Sequence, residues 1–192
     1  MFAITVMTAA LLTAAPSYQE VTYEDLVFEA RYDCRNANPE KTKDKILWDL
    51  VKIEKAYELP NTLRGMVLAA SCMESGHDPN AKGDYKVFKN KRLPRAIGIL
   101  QQWPWYEKEY GIDRTNHIEA ASSWMKHIKR KLNKVRKNCG FKSKHRNWVA
   151  AWVTAIRYPK EGGRCHEHPK HYKLLRRWHR QIKKSLDKGD GC

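Results

Sequence analysis

The chain has 192 residues, 37 Lys+Arg against 21 Asp+Glu for a formal net charge of +16, and 42% hydrophobic residues. That suits one compact domain rather than two ordinary cores; seven Trp, nine Tyr and four Phe exclude wholesale disorder, and no internal stretch reaches the ~18 to 20 apolar residues that span a bilayer. Residues 1–113 carry 15 Lys+Arg against 16 Asp+Glu while 114–192 carry 22 against 5, so the second half is expected to meet a polyanionic partner.

Residues 1–15, MFAITVMTAALLTAA, hold no charge and end in small side chains, the pattern of a secretory signal with cleavage near Ala15 or Ser17. No Lys or Arg marks its start, so a first helix buried in the domain is the alternative. The polar Ser17-Tyr18-Gln19-Glu20 after it argues against a stop-transfer anchor. The expectation is an exported protein, periplasmic or extracellular, with a signal over 1–17 and a single monomeric domain over 18–192. Five cysteines, Cys34, Cys72, Cys139, Cys165 and Cys192, then imply at least one disulfide. Cys139 with Cys165 is the favoured pair, since each follows a helix-like segment close to a Gly. Cys72 sits in an apolar run and reads as a buried thiol.

Apolar spacing is helical nearly throughout, so the fold class is mainly α. Segments 20–33, 43–57 and 60–74 read as helices, the last capped by Asn61 or Thr62 behind Pro60. From Gly76 to Arg95 the stripe is lost among Gly76, Pro79, Gly83 and Pro94, which predicts a long loop or a small irregular β element. Helix resumes over Ile97–Tyr110, stops at Gly111, and restarts behind Asp113 or Thr115 through Lys137, with Ala121, Trp124, Ile128, Leu132 and Val135 as its apolar stripe. Further helices are predicted over 145–157 and 170–188, the latter strongly basic with Tyr172, Leu175, Trp178 or His179, Ile182 and Leu186 inward.

The apolar run 66–73 ends in Glu74-Ser75-Gly76. A carboxylate at the C-terminus of an apolar helix faces desolvation and the negative end of the helix dipole, which predicts a raised pKa suited to a general acid. The segment Glu74-Ser75-Gly76-His77-Asp78-Pro79-Asn80-Ala81, followed by Ala96-Ile97-Gly98-Ile99-Leu100-Gln101-Gln102-Trp103-Pro104, resembles the paired motifs of lytic transglycosylases and goose-type lysozymes. Those motifs are E-S-x-x-x-P-x-A and G-A-x-G-L-M-Q-x-x-P, and the resemblance covers about 58–160. It implies a lysozyme-like fold and cleavage of peptidoglycan between N-acetylmuramic acid and N-acetylglucosamine, with no cofactor and no metal.

On the resemblance, Glu74 is the catalytic acid, Ser75 hydrogen-bonds near it and Gln101 lines the glycan cleft. Trp103, Trp105 and Tyr106 offer flat faces for sugars, some of them being core. Tyr158 or Trp152 fills a third, degraded family motif; Tyr158 is preferred on spacing. Transglycosylases need no second carboxylate and leave 1,6-anhydro-muramyl ends, whereas Asp78 and Asp84, in the loop after Glu74, are candidates to hold a water, so lyase and hydrolase both stay open.

Cys165-His166-Glu167-His168-Pro169-Lys170-His171 crowds metal-capable residues together without a second Cys/His pair at finger-like spacing, and a disulfide at Cys165 beside exposed histidines explains it as well. The basic half is also compatible with a secreted cationic binding protein without catalysis. No nucleic-acid motif is present, and on an exported wall-cleaving enzyme the positive face would target anionic wall or envelope polymers rather than nucleic acid.

Overall fold

The computed structural model describes residues 20–35, 37, 43–88, 91–157, 165 and 168–189. The expected signal segment, Tyr158 and Cys192 lie outside these residues. The elements run α1 (Tyr23–Tyr32), α2 (Asp44–Lys55), a 3-10 turn (Asn61–Leu63), α3 (Met66–Ser75), β1 (Lys82–Phe88), β2 (Lys91–Ile97), α4 (Pro104–Tyr110), α5 (His117–Cys139), α6 (Lys144–Arg157) and α7 (Lys170–Gly189). The architecture is mainly α with one two-stranded antiparallel sheet, and among the described residues no helix is long and apolar enough to cross a membrane.

α3 is the axis of the molecule. Every residue from Met66 to Cys72 is buried, because α1, α2 and α7 pack around it. α5 packs on α2 and α6, and its predicted stripe of Ala121, Trp124, Ile128, Leu132 and Val135 is buried in full. Leu175, Trp178 and Ile182 of α7 close the core, with His179 half-buried beside them.

The helix expected over 60–74 is broken. A 3-10 turn ends at Leu63, Gly65 takes a left-handed φ of +83°, and α3 begins at Met66. The cause is Glu54 on α2. Its carboxylate accepts the Gly65 N–H (2.6 Å), the Val67 N–H (2.8 Å) and the Tyr23 hydroxyl (3.1 Å), capping α3 from a neighbouring helix instead of from Asn61 or Thr62.

Burial pushes the Glu54 carboxyl up to about 7, the three hydrogen bonds only partly opposing it. A carboxyl raised in the folded state contributes stability that is full below its unfolded value near 4.5 and is lost as pH rises through about 7. His77 and His127, which burial depresses to about 4, act in the opposite sense, losing their contribution as pH falls from 6.5 toward 4. The Glu54 contribution is therefore isolated as a difference. Relative to the wild type, Glu54→Gln is expected to gain on the order of 3 kcal/mol in unfolding free energy between about pH 4.5 and pH 7, read by denaturant titration; a pH-independent gap would contradict it.

Among the described residues two disulfides are present, Cys139–Cys165 as predicted and Cys34–Cys72. Cys72 is thus no free thiol. The end of α1 lies against the last turn of α3, a juxtaposition that helix packing alone creates. By loop length each bridge restrains the unfolded chain by about 3 to 4 kcal/mol.

The stretch after α3 is a regular hairpin, Lys82 pairing with Ile97 and Phe88 with Lys91. Pro94 is tolerated because both strands of a two-stranded sheet are edges. Helix does not resume at Ile97. Ile97 and Gln102 exchange backbone hydrogen bonds of 3.1 and 2.9 Å, closing a tight loop in which Gly98 and Gln101 both have positive φ, and α4 starts only behind Trp103 with Pro104 in its first turn. The next helix is capped by Asn116, whose Oδ1 accepts the Ile118 and Glu119 N–H groups; Asp113 instead bonds Thr115 within the preceding turn.

Candidate functional site

Glu74 lies one residue from the end of α3, which stops at Gly76 in a left-handed conformation (φ +63°). A cleft of about 410 Å³ opens beside it, bounded by Asp84 from β1, Gln101 and Trp103 from the loop ahead of α4, Trp105 from α4, Ile156 from α6 and His171 from α7. Two motifs separated by the hairpin in sequence thus share one wall.

The loop that carries Gln101 is fastened to α3 by Ser75, whose hydroxyl donates to the Ile99 carbonyl at 2.8 Å. It is fastened from the other side by Arg114, which donates to the Gln102 and Arg95 carbonyls at 2.7 and 2.9 Å. Gln101 lines the cleft with its amide donating to the Gly98 carbonyl at 3.1 Å. Ser75 therefore acts on the loop that walls the site.

Trp103 is 38% exposed on the cleft rim, with the Arg95 guanidinium 4.0 Å over its ring and its indole N–H donating to Asp84 at 3.1 Å. Trp105 stacks on buried Tyr106 at 3.9 Å, so one face of this pair is committed to the interior. Of the two candidate second carboxylates, Asp84 borders the cleft. Asp78 accepts the Asn80 N–H within its own turn and is not among the described residues lining it.

The environment of Glu74 differs from the sequence expectation. Its side chain is 37% exposed rather than sunk among apolar neighbours, and its Oε1 lies 2.6 Å from Nε2 of His171. His171 is buried at 3% exposure, its ring stacked on Trp152 with centroids 5.8 Å apart and planes at 11°. Trp152 is itself fully buried and stands edge-on to Trp124, so it supports the site from beneath instead of lining it.

His171 belonged, in the sequence, to a run read as exposed histidines. A signal was available: positions 171, 175, 178 and 182 keep helical spacing, which puts His171 on the buried stripe of α7 one turn before Leu175.

Among the described residues, the grouping that could offer three metal ligands is Cys34, Cys72 and His77. It is already committed. The sulfurs form a disulfide, and His77 has Nε2 at 3.0 Å from the Ala30 carbonyl and Nδ1 at 2.8 Å from the Ser71 hydroxyl.

A second, basic groove of about 640 Å³ adjoins the other side of the same helix ends, lined by Met73 of α3 and by Arg35, Lys170, Lys173, Arg177 and Arg180. Arg177 is paired with Asp33 at 2.7 Å. No family profile, curated protein or solved structure matches the chain.

Proposed function

We propose that the chain is a lysozyme-like enzyme that cleaves the β-1,4 bond between N-acetylmuramic acid and N-acetylglucosamine in peptidoglycan, as a lytic transglycosylase with Glu74 as acid and base. The observation that carries this reading is the convergence of Glu74, Gln101 and Trp103, from two separated motifs, on one open cleft. Glu74 is exposed to that cleft and has a polar partner behind it, as a group that must give and regain a proton requires.

The protonated Glu74 carboxyl donates to the glycosidic oxygen, and the C1–O4 bond breaks with the electron pair going to the departing N-acetylglucosamine. The acetamido oxygen of the muramyl residue closes on C1. The Glu74 carboxylate then takes the proton of the muramyl 6-hydroxyl, whose oxygen displaces the acetamido group to form the 1,6-anhydro ring. Glu74 ends protonated, and no water is consumed.

Hydrolysis through a second carboxylate has less support: Asp78 is not among the described residues lining the cleft. Asp84, which does border it, has one carboxylate oxygen held by the Trp103 indole. Trp103 presents a partly exposed face at the rim, suited to stacking on a sugar. The basic groove beside α3 and α7 gives the enzyme a surface for anionic wall or envelope polymers, consistent with export.

Mass spectrometry of digested peptidoglycan tests the reaction. Anhydro-muramyl ends are the expected product; reducing muramyl ends would make the enzyme a hydrolase, and intact strands would refute cleavage altogether.

A further inference from the structure

We infer that His171 is the positioning residue of the site: its Nε2–H holds one oxygen of Glu74, so that the catalytic proton is carried by the other oxygen, which faces the cleft. This rests on the glycan-cleaving reading of Glu74. The hydrogen-bond inventory of the ring carries the assignment. His171 is buried, its Nε2 is 2.6 Å from Glu74 Oε1, and its Nδ1 is buried with no partner among the described residues.

Three protonation patterns fit a 2.6 Å contact. An imidazolium, or a neutral ring protonated at Nδ1 and accepting from Glu74, would each leave a buried N–H with no acceptor among the described residues, at a cost of about 1 to 3 kcal/mol. The neutral ring protonated at Nε2 leaves only a lone pair at Nδ1. That pattern makes His171 a donor to Glu74 in both halves of the reaction.

The ring is also fixed in place. Stacked on Trp152, which is braced by Trp124, it cannot swing away, and it arrives from a helix 97 residues further along the chain. A Glu side chain at a helix end otherwise samples several rotamers, few of which present the carboxyl to a bound glycan. Pinning Oε1 selects among them. The same bond stabilises the carboxylate at the stage when it must accept the 6-hydroxyl proton.

His171→Phe keeps a ring against Trp152 and removes the donor, while His171→Gln restores a side-chain N–H. With the full chain acting on purified peptidoglycan, His171→Phe is expected to lower kcat about 100-fold with KM little changed, and His171→Gln to recover most of the rate. The alkaline limb of the pH–rate profile, where Glu74 loses the proton it must deliver, should move to higher pH in His171→Phe, because the carboxylate has lost a donor. Asp84 of β1 and Tyr106 of α4 border the same cleft, and Lys170 and His168 precede His171, whereas the described side chains that α6 presents there, Ala155, Ile156 and Trp152, do not titrate. The profile is therefore repeated on Asp84→Asn, which should leave that limb in place.

Wild-type kcat and pH profile in His171→Phe, or equal loss in both His171 variants, would overturn the positioning role while an inactive Glu74→Gln still upheld cleavage. Absence of cleavage by the wild type, or full activity in Glu74→Gln, would instead remove the underlying reading. Nitrogen-15 NMR of the wild-type imidazole tests the bond independently of any variant's folding: a proton on Nε2 is expected, and an Nδ1–H tautomer with a bare Nε2 would overturn the assignment.

Discussion

Glu74→Gln is expected to reduce glycan cleavage by about 10³-fold or more, read as release of soluble fragments from purified peptidoglycan, while sedimentation of the protein with the same insoluble wall is unchanged. The amide matches the carboxyl in size, and its oxygen can still accept from His171, so folding should be preserved. It cannot deliver a proton to the leaving oxygen or take one from a hydroxyl. Wall binding should survive because Glu74 is not part of the basic groove lined by Arg35, Lys170, Lys173, Arg177 and Arg180. This pairing of readouts separates an enzyme from a cationic protein that merely coats or disrupts envelopes, for which one carboxyl among 21 acidic groups would be immaterial. Equal lysis by both proteins would refute the catalytic assignment.

Gly98→Ala is expected to destabilise the fold by more than about 3 kcal/mol, or to prevent folding, in thermal and denaturant unfolding. Two costs coincide at this position. Gly98 has φ +81°, which an L-side chain adopts with strain, and an added Cβ would run into the backbone carbonyl of Arg114, which cannot step aside as a side-chain tip could. The Gly98 N–H also donates to the Ala81 carbonyl at 2.9 Å, tying the loop to the start of the hairpin. Gly111 supplies the control. Its φ is +64°, but nothing lies within 4 Å of its added Cβ, so Gly111→Ala should show the backbone strain alone, about 1 kcal/mol. A Gly98→Ala cost no larger than that would mean that the Arg114 contact yields easily. Because the same loop carries Gln101 and leads into Trp103, survivors of Gly98→Ala should also lose substrate affinity.

The legible and illegible parts of the site divide along the range of the interactions. Glu74 ends an apolar run and precedes a Gly, and both features are local; the structure places it one residue from the helix end. The hairpin after α3 is signalled only as a loss of helical periodicity, because Gly and Pro mark where a helix stops without specifying the element that comes next. The helix predicted to start at Ile97 fails for a local reason, since Gly98 and Gln101 at positive φ turn the chain before Pro104 can begin α4. The break at Gly65 could not be read from residues 60–74 alone, as the groups that enforce it sit on Glu54.

The net positive charge also resolves into geometry. Exposed Lys126, Lys129, Lys134, Arg136 and Lys137 ring the buried stripe of α5, and the cations of α7 border a groove next to the helix end that bears Glu74. Charge alone implied an anionic partner; the groove gives that expectation a location.

Periodicity and composition were enough to specify a mainly helical chain and the length and inward face of its long helices, while Gly-flanked helix ends favoured the Cys139–Cys165 pairing and the paired motifs singled out the candidate carboxyl. Helical periodicity acts within a few turns of chain. Three-dimensional packing was needed to establish that Cys34 bonds Cys72, that Glu54 caps α3, and that His171 meets Glu74. Each of these joins groups on different helices, and which groups meet is set by how the helices pack around α3, a property of the assembled core that no single segment encodes.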